Sequence, residues 1–172
     1  QSHQIGMSPN IKLGVVAALG DDGTGKNTAD ENEVAQAINW CIDNFSADII
    51  SLSLGGTQSD GMMREGPSVS VTRKAVDMGI YVIAAAGNDG GSEDDGRVSV
   101  PSNVARAISV GASIRGGEVW GNSSTGSQIM PNGEARANPN LKPEIIAPGQ
   151  SIISTGRGNT WYSSSGTSDA TV

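Results

Sequence analysis

The amino-acid sequence predicts an α/β domain with three layers, in which a mainly parallel β-sheet is flanked by helices. Two features of the 172-residue chain carry this prediction. Apolar runs rich in β-branched residues alternate with segments whose apolar residues recur at helical spacing, and Gly-rich turns end most of the runs. This alternation is typical of parallel sheets with crossover helices. Because the chain has no internal repeat and no long linker, we expect one domain over residues 1–172.

The first elements along the chain are a strand, a glycine-rich turn and a helix. Residues 11–19 form an apolar run that is typical of a buried strand, and a glycine-rich turn follows at 20–25. Asp30, with Glu33 three residues later, has the pattern of a helix capping box. The apolar residues that then recur at helical spacing are Val34, Ala37, Ile38, Cys41, Ile42 and Phe45. We therefore predict a helix whose core face includes Cys41, and not a reactive cysteine.

The remaining elements continue the same alternation. Residues 69–78 have the pattern of a helix that Gly79 ends. The further runs that predict strands of the sheet are 48–54, 80–86, 105–111 and 145–147. Residues 151–154 and 160–163 flank a Gly-Arg-Gly-Asn turn, which predicts a hairpin. Sites in parallel sheets form beyond the carboxyl ends of the strands, so the loops at those ends are the first candidates for function.

Composition argues against several classes of function. The chain has 11 basic and 18 acidic side chains and a net charge of −7. It would gain nothing from counterion release at phosphates, so we expect no nucleic-acid partner. No apolar run reaches the length of a membrane span, so we expect no membrane partner. The single cysteine, Cys41, rules out an internal disulfide and a multi-cysteine metal site.

Two polar segments carry the candidate chemistry. Residues 164–171 place serines at a predicted strand-to-helix junction, where unpaired N–H groups and the helix dipole favour developing negative charge. Taken alone, these residues are explained more simply by a capped helix start. Asn88 follows a predicted buried strand among small residues, so its amide could donate a hydrogen bond into a cleft. Ordinary turn chemistry is the alternative there.

Together with their neighbours, these segments resemble the subtilase family, in register over nearly the whole chain, from about residue 6 to residue 172. The motifs that carry the resemblance are Ser53-Leu54-Gly55-Gly56, Ala86-Gly87-Asn88, Val100-Pro101-Ser102 with residues 107–112, the Lys-Pro-Glu-Ile-Ile-Ala-Pro-Gly run at 142–149, and Gly166-Thr167-Ser168. Each motif is modest, but five in the right order and spacing are specific.

The resemblance implies a secreted serine endopeptidase that acts on a peptide or protein substrate through an acyl-enzyme. Ser168 would be the nucleophile, and Asn88 would donate to the oxyanion together with the Ser168 backbone N–H. The residues implied to flank an extended peptide are Gly23, Thr24, Gly25, Ser53, Leu54 and Gly55. The residues implied to line the pocket for the residue before the scissile bond are Ala85, Ala86 and Gly87, with Ser99 near its base. Pro101 matches a position that is often cis in the family.

The chain also departs from the family pattern. The family's Asp and His motifs precede the segment that residues 6–10 resemble, and the single histidine, His3, does not match the His motif. We therefore expect a partial catalytic domain, without the Asp/His part and the helix after the nucleophile. An upstream segment or a separate chain would supply Asp and His, and the chain by itself would be inactive. Asp169 and Val172 stand where the family usually has Met and Pro.

Three alternatives stay open from the sequence. The chain could be an inactive fragment or pseudoprotease scaffold, since it lacks the other triad residues. Residues 20–27 follow a predicted strand and differ by one position from a phosphate-binding P-loop, although two acidic residues lie inside the run.

The peptidase chemistry that the resemblance implies requires no cofactor. The acidic run at 89–95 could hold a structural calcium ion, although such a run is more often a solvated loop.

Overall fold

A computed structural model describes residues 8–57, 65–127, 134–135, 141–156 and 158–172 of the chain. The strands in these ranges are β1 (Gly20–Asp21), β2 (Asn27–Thr28), β3 (Ile49–Leu52), β4 (Tyr81–Ala85), β5 (Ile108–Ser113), β6 (Gly126–Ser127), β7 (Leu141–Lys142), β8 (Ile145–Pro148), β9 (Ile152–Gly156) and β10 (Thr160–Ser164). The helices are α1 (Glu31–Asp43), α2 (Pro67–Asp77) and α3 (Thr167–Ala170), with a short 3-10 turn at Gly91–Glu93.

Four parallel strands form the main sheet, in the order β3-β4-β5-β8. This arrangement confirms the predicted α/β fold and each of the four strands predicted after residue 45. The predicted hairpin is also present, as β9 pairs antiparallel with β10. Two short antiparallel pairs, β1 with β2 and β6 with β7, lie outside the sheet.

Helices cover both faces of the sheet. On one face α1 and α2 pack together against β3 and β4, around a core that includes Ile38, Val69 and Val82. On the other face the short α3 packs on β5, where Ala170 joins Val110 and Ala112. The sheet therefore has one broad helical layer and one narrow layer, and the narrow layer carries the candidate nucleophile.

The local signals for α1 and α2 are confirmed. The Asp30 side chain accepts hydrogen bonds from the backbone N–H groups of Asn32 and Glu33, and the Glu33 side chain accepts one from the Asp30 N–H. Gly79 follows α2 with a φ of 88°, a left-handed conformation that favours glycine after a helix end. In the ranges described above, no helix is both long and apolar enough to cross a bilayer.

The prediction of a buried strand at residues 11–19 was wrong. The segment forms no regular strand, and Ile11, Leu13, Val15 and Leu19 are exposed. Composition could indicate a strand suited to burial on both faces, but a strand also needs a neighbour for its backbone hydrogen bonds. Among the described residues, this segment has no such neighbour.

A buried ion pair ties β7 and β8 to the loop after residue 100. The Lys142 side chain is fully buried, and its ammonium donates to the backbone oxygens of Val104 at 2.9 Å and Ala107 at 2.7 Å. It also lies 2.7 Å from the Glu144 carboxylate, which accepts from the Ser109 N–H at 2.8 Å.

The Val100–Pro101 and Lys142–Pro143 peptide bonds are cis. The first agrees with the family expectation for Pro101.

We predict that Lys142→Met lowers the free energy of unfolding by about 3 kcal/mol, because it leaves the Glu144 carboxylate without its buried partner. Urea denaturation would measure the loss. Lys74→Met is the matched control, since its ammonium is half exposed and 3.8 Å from Asp43, and it should change stability by less than about 1 kcal/mol. Equal effects of the two substitutions would contradict a structural role for the buried pair.

Candidate active site

The candidate site lies at the carboxyl ends of β3 and β4, where α3 begins. Ser168 is the second residue of α3 and is half-buried. Its hydroxyl donates to the backbone oxygen of Ser53 at 3.1 Å, and the Ser53 hydroxyl donates to the backbone oxygen of Ser168 at 3.0 Å. These reciprocal bonds hold Ser168 against the end of β3, as expected for a site at the carboxyl edge of a parallel sheet.

Asn88 is fixed by the residue that precedes Ser168. Its side-chain oxygen accepts from the Thr167 backbone N–H at 2.9 Å and from the Thr167 hydroxyl at 3.1 Å. The same hydroxyl accepts from the Gly87 N–H at 3.1 Å. Because a backbone N–H can only donate, these bonds assign the Asn88 oxygen to Thr167. They leave the exposed amide nitrogen to donate elsewhere.

Gly166 borders both the Asn88 amide and a carboxylate. A Cβ at Gly166 would lie 3.5 Å from the Asn88 amide nitrogen and 3.6 Å from a carboxylate oxygen of Asp169. The other Asp169 oxygen accepts from the Ser164 hydroxyl at 2.5 Å, which holds the carboxylate in place. The Asp169 carboxylate and the amide that is the candidate oxyanion donor therefore both border Gly166.

A cleft of about 600 Å³ opens beside these groups. The residues that line it are Leu19, Asn27, Thr28, Ala29, Asp30, Glu31, Val34, Ser53, Leu54, Gly55, Gly56, Ser68, Asn88, Val100, Pro101 and Ser168. Both candidate catalytic residues thus face one cavity. Ser53, Leu54 and Gly55, which were expected to flank a peptide, also line it.

The other expected substrate-binding residues lie outside this cleft. Ala85 and Ala86 are buried at the end of β4. Ser99 packs between Gly55 and Gly87. A Cβ added at Gly55 would lie 2.6 Å from the Ser99 Cβ, and a Cβ added at Gly87 would lie 2.5 Å from the Ser99 hydroxyl oxygen. Ser99 and the end of β4 are therefore in close contact, and neither lines the cleft.

Residues 20–28 form a hairpin, and its turn contains Gly23, Thr24 and Gly25. These three residues do not line the cleft, to which the hairpin contributes Asn27 and Thr28 from β2. The turn also argues against a P-loop. The N–H groups of Gly23 and Thr24 donate to the carboxylates of Asp21 and Asp22, which therefore take the positions that phosphate oxygens would need. The hydroxyl and N–H of Thr24 hold the pKa of Asp22 below its usual value.

The acidic run at 89–95 is engaged by neighbouring protein groups. Asp94 accepts from the Gly96 N–H and the Thr125 hydroxyl, and Asp95 lies 3.5 Å from the Arg97 guanidinium. Within the part of the chain that the structure describes, no group of three or more His, Cys, Asp or Glu side chains is placed to hold a metal ion. The structural calcium site stays a prediction. His3 lies outside the described residues.

Sequence reasoning missed the part played by Thr167 and Ser164. Thr167 is fully buried and connects Asn88 to Gly87, while Ser164 holds Asp169. The sequence identified Thr167 only as a member of the nucleophile motif. It did not show the hydrogen bonds of Thr167, because their partners lie about 80 residues away in sequence. Ser164 and Asp169 are five residues apart, a spacing that suggests a local contact only once the strand-to-helix turn is known.

Comparisons with known proteins agree on one family. The sequence profile of the subtilase family matches residues 1–172. Subtilisin amylosacchariticus from Bacillus subtilis subsp. amylosacchariticus is 34% identical over 167 residues, which cover 97% of this chain and 38% of that protein. Subtilisin DY from Bacillus licheniformis is 31% identical over 166 residues, which cover 96% of this chain and 52% of that protein. The chain therefore spans 38% and 52% of the length of these two relatives.

Solved structures show the same fold. The prenylagaramide maturation protease PagA superposes with a TM-score of 0.66 at 26% identity, over 84% of this chain and 46% of that one. The patellamide maturation protease PatA superposes with a TM-score of 0.67 at 24% identity, over 90% of this chain and 49% of that one. At the identity of PatA the likeness bears on the fold only.

We predict that Gly87→Ala destabilises the protein by about 1–3 kcal/mol more than Gly79→Ala does, because the new methyl group would overpack the space around Gly87. Both glycines have positive φ, 113° and 88°, so both substitutions strain the backbone. A Cβ at Gly87 would meet the hydroxyls of Ser99 and Ser124 within 2.8 Å, whereas a Cβ at Gly79 meets nothing within 4 Å. Chemical denaturation would compare the two variants, and equal losses would contradict the close packing around Gly87.

Proposed function

This chain belongs to the subtilase family, and from that premise we propose that it is the nucleophile-bearing part of a serine endopeptidase. The observation that carries the proposal is the placement of Ser168 and the Asn88 amide on one cleft, at a helix start. In this function Ser168 attacks a peptide carbonyl and forms an acyl-enzyme, which water then hydrolyses.

Stabilisation of the oxyanion would come from groups that are already oriented. Asn88 cannot turn its amide nitrogen away without losing the two bonds from Thr167 to its oxygen. The N–H of Ser168 lies in the first turn of α3, where backbone donors have no helical partner. Two donors held in place before the reaction can stabilise developing charge without reorganisation, which is the largest single contribution in many acyl-transfer enzymes.

The nucleophile needs a base that the described residues do not supply. The Ser168 hydroxyl donates to the Ser53 backbone oxygen, which cannot take up its proton. We propose that an upstream segment or a separate chain carries the catalytic Asp and His, with His accepting the Ser168 proton and later donating it to the leaving amine. By itself the chain would then be an inactive part of the enzyme.

An extended peptide is the substrate class that the cleft supports. Ser53, Leu54 and Gly55 continue β3 along the cleft, so a peptide could add to them by backbone hydrogen bonds. The scissile carbonyl would lie between Ser168 and the Asn88 amide. The relative named minor extracellular protease Epr, from Bacillus subtilis, is 29% identical over 166 residues. In keeping with such relatives, we propose that this protein also acts outside the cell.

A pseudoprotease scaffold is the second candidate, and one observation favours it. The Asp169 carboxylate, held by Ser164, borders Gly166 as the Asn88 amide does, and its negative charge would oppose an oxyanion there. A site under selection for turnover gains nothing from such a charge, whereas a scaffold tolerates it. Chemical reactivity of Ser168 separates the two candidates.

We predict that a fluorophosphonate labels Ser168 once, in protein purified together with any chain that supplies Asp and His. Intact mass and peptide mapping would locate the adduct. Ser168→Ala should abolish labelling, and Ser163→Ala, which removes an exposed hydroxyl from β10, should leave it unchanged. If a control serine protease is labelled and Ser168 is not, the scaffold function replaces the protease.

We further predict that Asp169→Asn speeds fluorophosphonate labelling of the assembled protein by about fivefold, because it removes a charge that opposes the oxyanion. The second-order rate constant would be measured by quenched time points and mass spectrometry. Asp43→Asn is the matched control, since it removes an exposed carboxylate at the end of α1. An unchanged or lower rate for Asp169→Asn would show that the carboxylate does not oppose the reaction.

A further inference from the structure

Asp169 places a carboxylate beside the candidate site in a defined orientation. Its Oδ1 accepts from the Ser164 hydroxyl at 2.5 Å, which directs the side chain towards β10. Its Oδ2 lies 3.6 Å from the position of a Cβ on Gly166, and the Asn88 amide nitrogen lies 3.5 Å from the same point. The distance between Oδ2 and the amide nitrogen therefore cannot exceed the sum of these two lengths.

In the part of the chain that the structure describes, no cationic group balances this charge. The ion pairs there join other residues, and none includes Asp169. The same residues give Oδ2 no hydrogen-bond donor. The residues that line the adjacent cleft include Asp30 and Glu31 but no lysine, arginine or histidine. Because Asp169 is half-buried, water screens its charge less than it screens an exposed carboxylate.

Asp169 lies outside the cleft that would hold the acyl part of a peptide. Residues 53–55 line that cleft together with Ser168 and Asn88, whereas Ser164 and Asp169 do not. The Asn88 amide borders both regions, and the scissile carbonyl would lie beside it. A peptide whose acyl part follows residues 53–55 would thus bring the first residue of its leaving part next to Asp169.

We propose that Asp169 determines specificity, and that it favours substrates whose first residue after the scissile bond is lysine or arginine. The proposal rests on the proposed function and names the substrate class of that site. The cation of this residue would pair with Oδ2 of Asp169, while the Ser164 hydroxyl continues to hold Oδ1. Arginine and lysine both carry a permanent positive charge at neutral pH and are the side chains that pair with carboxylates.

The pairing changes the sign of the effect that Asp169 has on the reaction. With a neutral substrate, the carboxylate opposes the negative charge that develops on the scissile carbonyl oxygen. With a cationic substrate, the paired ammonium or guanidinium neutralises the carboxylate and adds binding energy of its own. The same side chain therefore hinders one class of substrate and assists the other, which is how an unfavourable charge next to a reaction centre can produce selectivity.

The geometry also favours a long side chain over a short one. The flexible four-carbon stem of lysine, or the longer arginine side chain, can extend from the scissile bond to a carboxylate a few ångströms away. Its hydrocarbon part can lie along Gly166, where the protein has no side chain in the way. Oδ2 faces this region, so the charged end of the substrate side chain would meet the oxygen that Ser164 leaves available.

The test compares two peptides that differ in one side chain. Each carries a fluorescent dye, three alanines and a leucine before the bond, lysine or norleucine after it, and two alanines at the end. Norleucine has the stem of lysine without the ammonium group. With the assembled protein, purified together with any chain that supplies Asp and His, we expect kcat/KM to be about tenfold higher before lysine than before norleucine. Mass spectrometry would identify the bond that is cleaved.

Asp169→Asn should move the two peptides in opposite directions. Cleavage before norleucine should speed about fivefold and cleavage before lysine should slow about twofold, which leaves no preference. A merely structural effect would shift both rates the same way. Asp169→Glu keeps the charge and should restore part of the lysine preference. Asp43→Asn, which removes an exposed carboxylate at the end of α1, is the matched control and should keep the full tenfold ratio.

A binding measurement tests the inference without a reactive serine. The Ser168→Ala form of the assembled protein cannot form an acyl-enzyme, and fluorescence anisotropy would give the Kd of each peptide. We expect the lysine peptide to bind about fivefold more tightly than the norleucine peptide, because the ion pair forms in the bound state. Adding Asp169→Asn to Ser168→Ala should make the two Kd values equal.

The outcomes separate this inference from the proposed function. If the protein cleaves the peptides, the cleavage ratio decides, and otherwise the ratio of Kd values decides. Equal values for the two peptides, or a lysine preference that persists in Asp169→Asn, would overturn the inference, and labelling of Ser168 would still support the protease. A lysine preference in binding that requires Asp169, with neither labelling nor cleavage, would remove the protease and keep the inference.

Discussion

The candidate site depends on the hydrogen bonds that Thr167 makes across the top of the sheet. Its hydroxyl accepts from Gly87 and donates to Asn88, and its backbone N–H also donates to Asn88. These bonds join the end of β4 to the start of α3, two segments about 80 residues apart. Because Thr167 is fully buried, any movement between them would leave buried polar groups without partners. The position of Ser168, one residue further on, follows from this constraint.

The same constraint explains which chemistry the described residues can do and which they cannot. They hold the candidate oxyanion donor and the candidate nucleophile in place by hydrogen bonds across one backbone junction. Proton transfer needs a base within hydrogen-bond reach, and the Ser168 hydroxyl instead meets a peptide oxygen. In the proposed function, stabilisation of charge and activation of the nucleophile would therefore come from different parts of the enzyme, and the described residues would carry the first.

Packing density differs between the interior of the sheet and its β3 edge. Beyond the carboxyl ends of β3 and β4, the glycines at 55 and 87 allow close approach to Ser99, and the buried Lys142 holds the neighbouring loop by its backbone oxygens. At the edge of β3, by contrast, apolar residues on β3, α1 and residues 11–19 surround a cavity. The sheet is therefore closely packed around Ser99 and Lys142, whereas apolar residues stay exposed to a cavity beside β3.

The sequence by itself determined the elements whose causes are local. The capping box at Asp30, the end of α2 at Gly79, the four strands of the sheet and the hairpin of β9 and β10 each depend on residues close together in the chain. Motif order also identified Ser168 and Asn88 as neighbours. Only the tertiary structure decided that residues 11–19 are unpaired, that residues 23–25 lie outside the cleft, and that Thr167 orients Asn88. The physical reason is that pairing, burial and side-chain orientation depend on partners distant in sequence, which composition and spacing do not specify.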